Sequence, residues 1–194
     1  MKKLIFTVNL ILVLVLFSKP CFSQLDLVLG LSKSSITGSE SWKDPFGLQA
    51  GIIMPVANLS EELSLRAEAN LSMQGAKWEY YDGMGRTNLL YLNLPVVVRF
   101  LHESGFFGEA GLQPGILLSA KDKWGDSTDD IKDQMKIFDI GIPVGIGYQI
   151  NEKIGVGFRV IPGMINLFEG SDSDDKDHNL VFALRGTYKL NLKK

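Results

Sequence analysis

Three features of the sequence predict an eight-stranded antiparallel transmembrane β-barrel. Apolar residues recur at every second position over long segments, connections alternate between long and short, and the large apolar side chains are too many for the interior of so small a barrel. The chain has 194 residues, 45% of them hydrophobic, with 20 basic and 22 acidic residues. That length gives one domain. The near balance of charge argues against a nucleic-acid partner, which would need a concentrated basic face, and the large apolar content argues against disorder.

Residues 1–23 read as a secretory signal that is cleaved, leaving 24–194 as the barrel domain. Lys2 and Lys3 form a positive start, Leu4 to Phe17 is mostly apolar, and Cys21-Phe22-Ser23 sets small residues before Gln24. A signal anchor needs about 20 continuous apolar residues, whereas this run is shorter and meets Lys19-Pro20. A lipid-carrying Cys21 is disfavoured because Ser18-Lys19-Pro20 replaces the small apolar residues expected before it. Losing the leader removes three lysines and no acids, so the formal charge moves from −2 to −5. The single Cys leaves with it, and with it any disulfide, thiol nucleophile or Cys-based metal site.

The strands follow in order. The first covers Leu25 to Ser32 and the second Phe46 to Val56. In the third, Glu62 to Gln74, one face reads Leu63, Leu65, Ala67, Ala69, Leu71, Met73 and the other Glu62, Ser64, Arg66, Glu68, Asn70, Ser72, Gln74. The fourth covers Leu89 to Leu101 and the fifth Gly105 to Ala120. The sixth, Phe138 to Ile150, sets Phe138, Ile140, Ile142, Val144, Ile146, Tyr148 and Ile150 against Asp139, Gly141, Pro143, Gly145, Gly147 and Gln149, a period of two that no helix produces. The seventh covers Ile154 to Phe168. The eighth, Val181 to Leu192, alternates Phe182, Leu184, Gly186, Tyr188, Leu190 and Leu192 with Val181, Ala183, Arg185, Thr187, Lys189 and Asn191. Many of these segments are long enough to cross a bilayer when tilted.

Polar segments near 34–45, 81–88, 121–135 and 169–179 read as long loops, and those near 57–61, 102–104 and 151–153 as short turns. Outer-membrane barrels show this asymmetry, with the short turns in the periplasm. Trp42 and Trp124 fall in long loops and Trp78 lies beside Tyr80 and Tyr81, while Phe100, Phe106 and Tyr188 lie toward the other end, in the manner of two aromatic girdles. Alternation alone does not decide which face points out, because a soluble ligand-binding barrel alternates too. Volume decides it: an eight-stranded barrel has an interior just wide enough for its side chains, so the bulky apolar face must point outward.

The order of short motifs resembles the outer-membrane β-barrel domain family of porin-family or PorT-like small barrels. They are Gly47-Leu-Gln-Ala-Gly51, Gln74-Gly-Ala-Lys77, Tyr91-Leu-Asn-Leu-Pro95, Gly111-Leu-Gln-Pro-Gly115, Gly145-Ile-Gly-Tyr148 and a closing strand ending near Tyr188. The resemblance implies a Gram-negative outer membrane as the location, its lipid bilayer and the barrel-assembly machinery as partners, and no single activity, some relatives assisting secretion. One departure is the ending, Leu190-Asn-Leu192-Lys193-Lys194, where such barrels often finish on an aromatic residue.

Parity places Asp26, Arg66, Glu68, Arg99, Glu109, Asp139, Arg159, Arg185 and Lys189 inside, as an interleaved charge network that plugs the lumen. Arg99 and Glu109 should meet across the turn at 102–104, and Asp26 should meet Lys189 where the first and last strands close the ring. His102-Glu103-Ser104 with Glu109 superficially resembles the His-x-Ser and Glu set of outer-membrane lipid A deacylases, but it sits at the periplasmic end, with His178 at the opposite end, and no G-x-S-x-G elbow is present. Asp172, Asp174, Asp175 and Asp177, with Asp122, Asp126, Asp129, Asp130 and Asp133, are a weak Ca²⁺ candidate that lacks the Gly and terminal Glu of an EF-hand loop. The expectation is a non-enzymatic structural or surface-interaction barrel without cofactor. Narrow passage of ions or small solutes and an accessory part in protein secretion are the alternatives.

Overall fold

The computed structural model describes residues 24–37, 42–43, 46–80, 83–125, 127–165 and 178–191. The signal assigned to residues 1–23 lies outside the described residues. The strands are β1 (Gln24–Thr37), β2 (Trp42–Lys43), β3 (Phe46–Asn58), β4 (Leu63–Tyr80), β5 (Gly83–Asn93), β6 (Val96–Leu101), β7 (Phe106–Trp124), β8 (Ser127–Asp130), β9 (Phe138–Gly141), β10 (Val144–Gln149), β11 (Ile154–Pro162) and β12 (His178–Asn191). Several are halves of one stave, so together they form an antiparallel ring of eight.

The ring closes where β1 pairs with β12, in unbroken register from Gln24↔Asn191 to Thr37↔His178. Closure leaves no sheet edge, which is the condition for a backbone to sit in hydrocarbon, where no water can satisfy an orphan N–H or C=O. The staves break where proline removes a ladder donor. Pro95 separates β5 from β6, and Pro143 separates β9 from β10. Their carbonyls still hold the wall together, accepting from the Glu68 N–H at 2.8 Å and the Gly111 N–H at 3.1 Å. At Gly75 (φ +141°) a Cβ would lie 2.0 Å from the Thr87 carbonyl oxygen, so only glycine lets β4 and β5 stay paired there.

The alternating faces resolve as a lipid belt outside and a polar lumen inside. Leu29, Leu31, Phe46, Leu48, Phe106, Phe138, Ile146 and Leu184 are exposed, whereas Ser32, Ser34, Gln49, Asn70, Ser72, Gln74 and Gln113 are buried. On β4 the outward residues run from Leu63 to Met73, ten steps of about 3.3 Å; at a tilt of about 40° this rises roughly 25 Å, the height of an outer-membrane belt. Phe106 and Tyr148 meet edge to face, 5.0 Å apart, near the short-turn end.

Three sequence readings change. The segment 81–88 is not a long loop: β4 and β5 stay paired up to Tyr80↔Gly83, and 34–37 and 121–124 likewise continue β1 and β7. A ladder needs no apolar face once it leaves the bilayer, so polarity there did not mean a loop. For the same reason Trp42 and Trp124 lie in strands, not loops. The seventh strand ends at Pro162 rather than near Phe168.

Leu29 is 68% exposed and sits midway between Leu25 and Lys33 on β1. Leu29→Arg is expected to cost about 2–4 kcal/mol at the bilayer midplane, measured by reversible urea unfolding in lipid vesicles. A barrel whose outer face met water would tolerate the arginine with little change.

Candidate functional site

The described part of the lumen is organised in layers, and the middle one carries the charge. Parity on β4, β6, β7, β11 and β12 brings Glu68, Arg99, Glu109, Arg159 and Arg185 to one level, all of them buried. Glu68 is held from two sides. Arg159 Nη2 donates to its Oε1 at 2.9 Å and Nη1 to its Oε2 at 3.1 Å, while Arg185 Nη2 donates to Oε2 at 2.6 Å and Asn70 Nδ2 at 2.9 Å. Arg159 reaches onward: its Nε donates to Glu109 Oε1 at 3.0 Å and its Nη2 to the same oxygen at 2.5 Å. Glu109 Oε2 accepts from Arg99 Nε at 2.9 Å and Nη2 at 2.7 Å. The chain Arg185, Glu68, Arg159, Glu109, Arg99 thereby links five staves across the lumen.

A neighbouring ring supports the far end of this chain. The Arg99 guanidinium lies 3.9 Å from the centre of the Phe107 ring, a cation–π contact. Phe107 in turn fills the space left by Gly147, where a Cβ would be 2.2 Å from the ring. Two glutamates thus serve three arginines, with the aromatic face as additional support.

Below this layer Arg66 Nη2 donates to Asp26 Oδ2. That corrects the pairing expected from sequence: the backbones of Asp26 and Lys189 face each other across the seam, but the Asp26 carboxylate goes to Arg66 on β4. Lys189 is half-buried and lines a vestibule of about 350 Å³ with Asp26, Arg66, Arg99, Glu152 and Lys153, open toward the short turns. Above the charge layer, Asn179 Nδ2 donates to Gln74 Oε1, and with Asn93, Gln113 and half-buried Asp139 they surround a residual void of about 10 Å³.

Higher still an apolar cluster faces the lumen, beside the buried Thr87. Ala76, Leu89, Tyr91, Leu117, Ala120 and Met135 form a buried apolar layer with Ile131 against it. The polar plug expected from sequence therefore carries an apolar lid. Ile131 and Met135 were missed because 121–135 read as a loop. The segment is instead stitched into the wall, the Ile131 N–H donating to the Ala120 carbonyl at 3.1 Å and the Leu117 N–H to the Ile137 carbonyl at 2.8 Å.

The remaining candidates do not converge. His102 Nδ1 and Ser104 Oγ are 2.8 Å apart in an exposed turn, but the same Nδ1 accepts the Ser104 N–H at 3.1 Å, a local turn bond. Glu109, the acid such a pair would need, is held inside by Arg99 and Arg159. Asp122 accepts from Thr87 Oγ1 at 3.0 Å, and Asp130 accepts the Lys132 N–H at 3.0 Å. Asp172, Asp174, Asp175 and Asp177 lie outside the described residues, and among the described residues no group of three His, Cys, Asp or Glu is placed to hold a metal ion.

Comparison with known proteins gives the class. The model of the outer membrane protein beta-barrel domain matches residues 22–169, and the chain belongs to that family. Among solved structures it is similar to the neisserial surface protein NspA, at 10% identity, covering 86% of this chain and 97% of that one with a TM-score of 0.63. It also matches Ail, the attachment invasion locus protein of Yersinia pestis, at 11% identity, covering 86% and 98% with a TM-score of 0.49. OprG of Pseudomonas aeruginosa matches at 13% identity, covering 88% and 97% with a TM-score of 0.44. No curated protein matches the chain. It is a small outer-membrane β-barrel protein in a Gram-negative outer membrane.

Removing one partner of a buried ion pair leaves an uncompensated charge and costs about 3–5 kcal/mol. Glu68→Ala takes from Arg185 its hydrogen-bonded carboxylate and leaves Arg159 with Glu109 alone, so it is expected to lower unfolding stability by about that much in urea titrations in lipid vesicles. Ser104→Ala should leave stability within about 0.5 kcal/mol, the range of exposed substitutions.

Proposed function

We propose that this is a closed, non-enzymatic barrel that acts by presenting its outer rim to the surroundings of the cell. The observation that carries the reading is the double closure of the lumen, by paired charges at mid-height and by the apolar layer around Met135 above them. An ion crossing the barrel would have to break charge-assisted hydrogen bonds inside a low-dielectric wall and then pass a dry layer, each step costing several kcal/mol. Nothing comparable blocks the rim. β4 and β5 stay paired seven residues beyond Met73, up to Tyr80, which projects the ribbon roughly 20 Å further along the strand direction.

The geometry of the His102 turn supports the absence of hydrolytic chemistry, since a serine nucleophile needs both a general base and an acid to orient it. The acid it would use is held inside the lumen by Arg99 and Arg159.

Planar-bilayer recording on the refolded barrel tests the reading. Wild type is expected to give no sustained conductance. The double variant Glu68→Ala with Met135→Gly, which opens both closures, is expected to give discrete current steps. Sustained steps in wild type would transfer the role to passage of ions, and a stable periplasmic partner on co-purification would favour the secretion role.

A further inference from the structure

The register sets a row of cations across neighbouring staves just above the lipid belt. Lys43 on β2 pairs with Lys77 on β4, Lys77 pairs with Arg86 on β5, and Arg86 pairs with Lys123 on β7. Lys77, Arg86 and Lys123 are exposed on the outward face. Each belongs to the same face as the apolar belt: on β4, Lys77 lies four residues beyond Met73, the last large apolar side chain of the stripe. At about 3.3 Å per residue and a tilt of about 40°, that places the row roughly 10 Å above the hydrocarbon edge, at the depth of lipid headgroups.

Such a row is costly as it stands. Like charges directly opposite in an antiparallel ladder repel, and three successive ladder positions here pair cation with cation. None of Lys77, Arg86 and Lys123 makes an ion pair or side-chain hydrogen bond among the described residues. By register the neighbouring acids fall on other rows: Asp130 stands opposite Lys121 one row lower and Glu79 opposite Met84 one row higher, while Thr128 stands opposite Lys123. The lumen shows how this protein treats charges that must pair: it sets a carboxylate between them. On this row it sets none.

We infer that the row Lys77, Arg86 and Lys123 is a binding site for the phosphate groups of an outer-leaflet glycolipid headgroup. A phosphate monoester carries enough negative charge and acceptor oxygens to bridge adjacent cations, and Arg86 at the centre can grip it with two parallel N–H donors. Membrane geometry selects the source. The acyl chains of such a lipid lie along the apolar stripe directly below, so one molecule satisfies both the stripe and the row. The site adds a specific contact to the rim proposed above and stands without that reading, because it requires only the fold and its orientation.

The test uses the full-length refolded barrel in phosphocholine nanodiscs. Bis-phosphorylated hexa-acyl lipid A is the probe, with the dephosphorylated lipid as comparator and native mass spectrometry as the readout. At about 1 kcal/mol per cation near a charged surface, Lys77→Ser with Arg86→Ser and Lys123→Ser is expected to weaken retention of the phosphorylated lipid about 100-fold. Lys77→Arg with Lys123→Arg should retain it, and the dephosphorylated lipid should bind no better than phosphocholine. Should the triple variant fail the heat-shift assay for folded barrels on gels, Arg86→Ser alone is compared in the same way, with about a fivefold loss expected. Equal retention by variant and wild type, or by lipid with and without phosphate, overturns the assignment. So does displacement of the lipid by millimolar inorganic phosphate, which would mark a site for the free anion. Binding of a sulfated polysaccharide in place of the lipid overturns it in favour of a surface-glycan partner.

Discussion

The seam between β1 and β12 is the constraint on which the other features rest. Its fourteen-residue ladder turns a sheet into a ring, and only a ring can sit in hydrocarbon without exposed backbone donors and acceptors. Eight staves fix a narrow interior, so the inward side chains must fill it and satisfy one another. The outward positions are then free for lipid. Leu29 on β1 and Leu184 on β12, on opposite sides of the seam, show the outcome as exposed leucines.

Given that narrow interior, the five-membered charge chain follows. Charged groups withdrawn from water need partners, and the penalty for a missing one is greater than the gain from any single pair. Glu68 meets Arg159 and Arg185 with fully buried carboxylate oxygens, and Glu109 meets Arg159 and Arg99. Arg159 is shared between the two acids, so it couples β11 to both β4 and β7. The lumen therefore behaves as a small polar core, with the apolar layer around Met135 as its lid and the vestibule beside Lys189 open toward the short turns.

The ring, the outward belt and the identity of the inward charges were legible in the sequence because period-two alternation is a local property of each strand. Arg99 and Glu109 could even be paired in advance, since a short turn fixes their register. Other pairings were not accessible. Asp26 has Lys189 opposite it in the ladder and still bonds Arg66, because partners inside a barrel are chosen across the lumen as well as along the wall. The hub role of Arg159 depends on three staves far apart in the chain. The lid was hidden for a different reason: Ile131 and Met135 lie in a polar stretch, and only the stitched backbone reveals that they point inward. Polarity likewise concealed the strands beyond the belt, where water makes an apolar face unnecessary.

The central claim is that the mid-lumen is a dry core of interlocked ion pairs and not a water-filled passage. Side-chain hydrogen exchange of Arg159, followed by NMR on the barrel in nanodiscs, addresses it most directly, because its Nε–H donates to Glu109 Oε1 at 3.0 Å at the centre of the chain. The account predicts a resolved signal that persists long after transfer to deuterated water. Loss of that signal at the rate of a free guanidinium would contradict it.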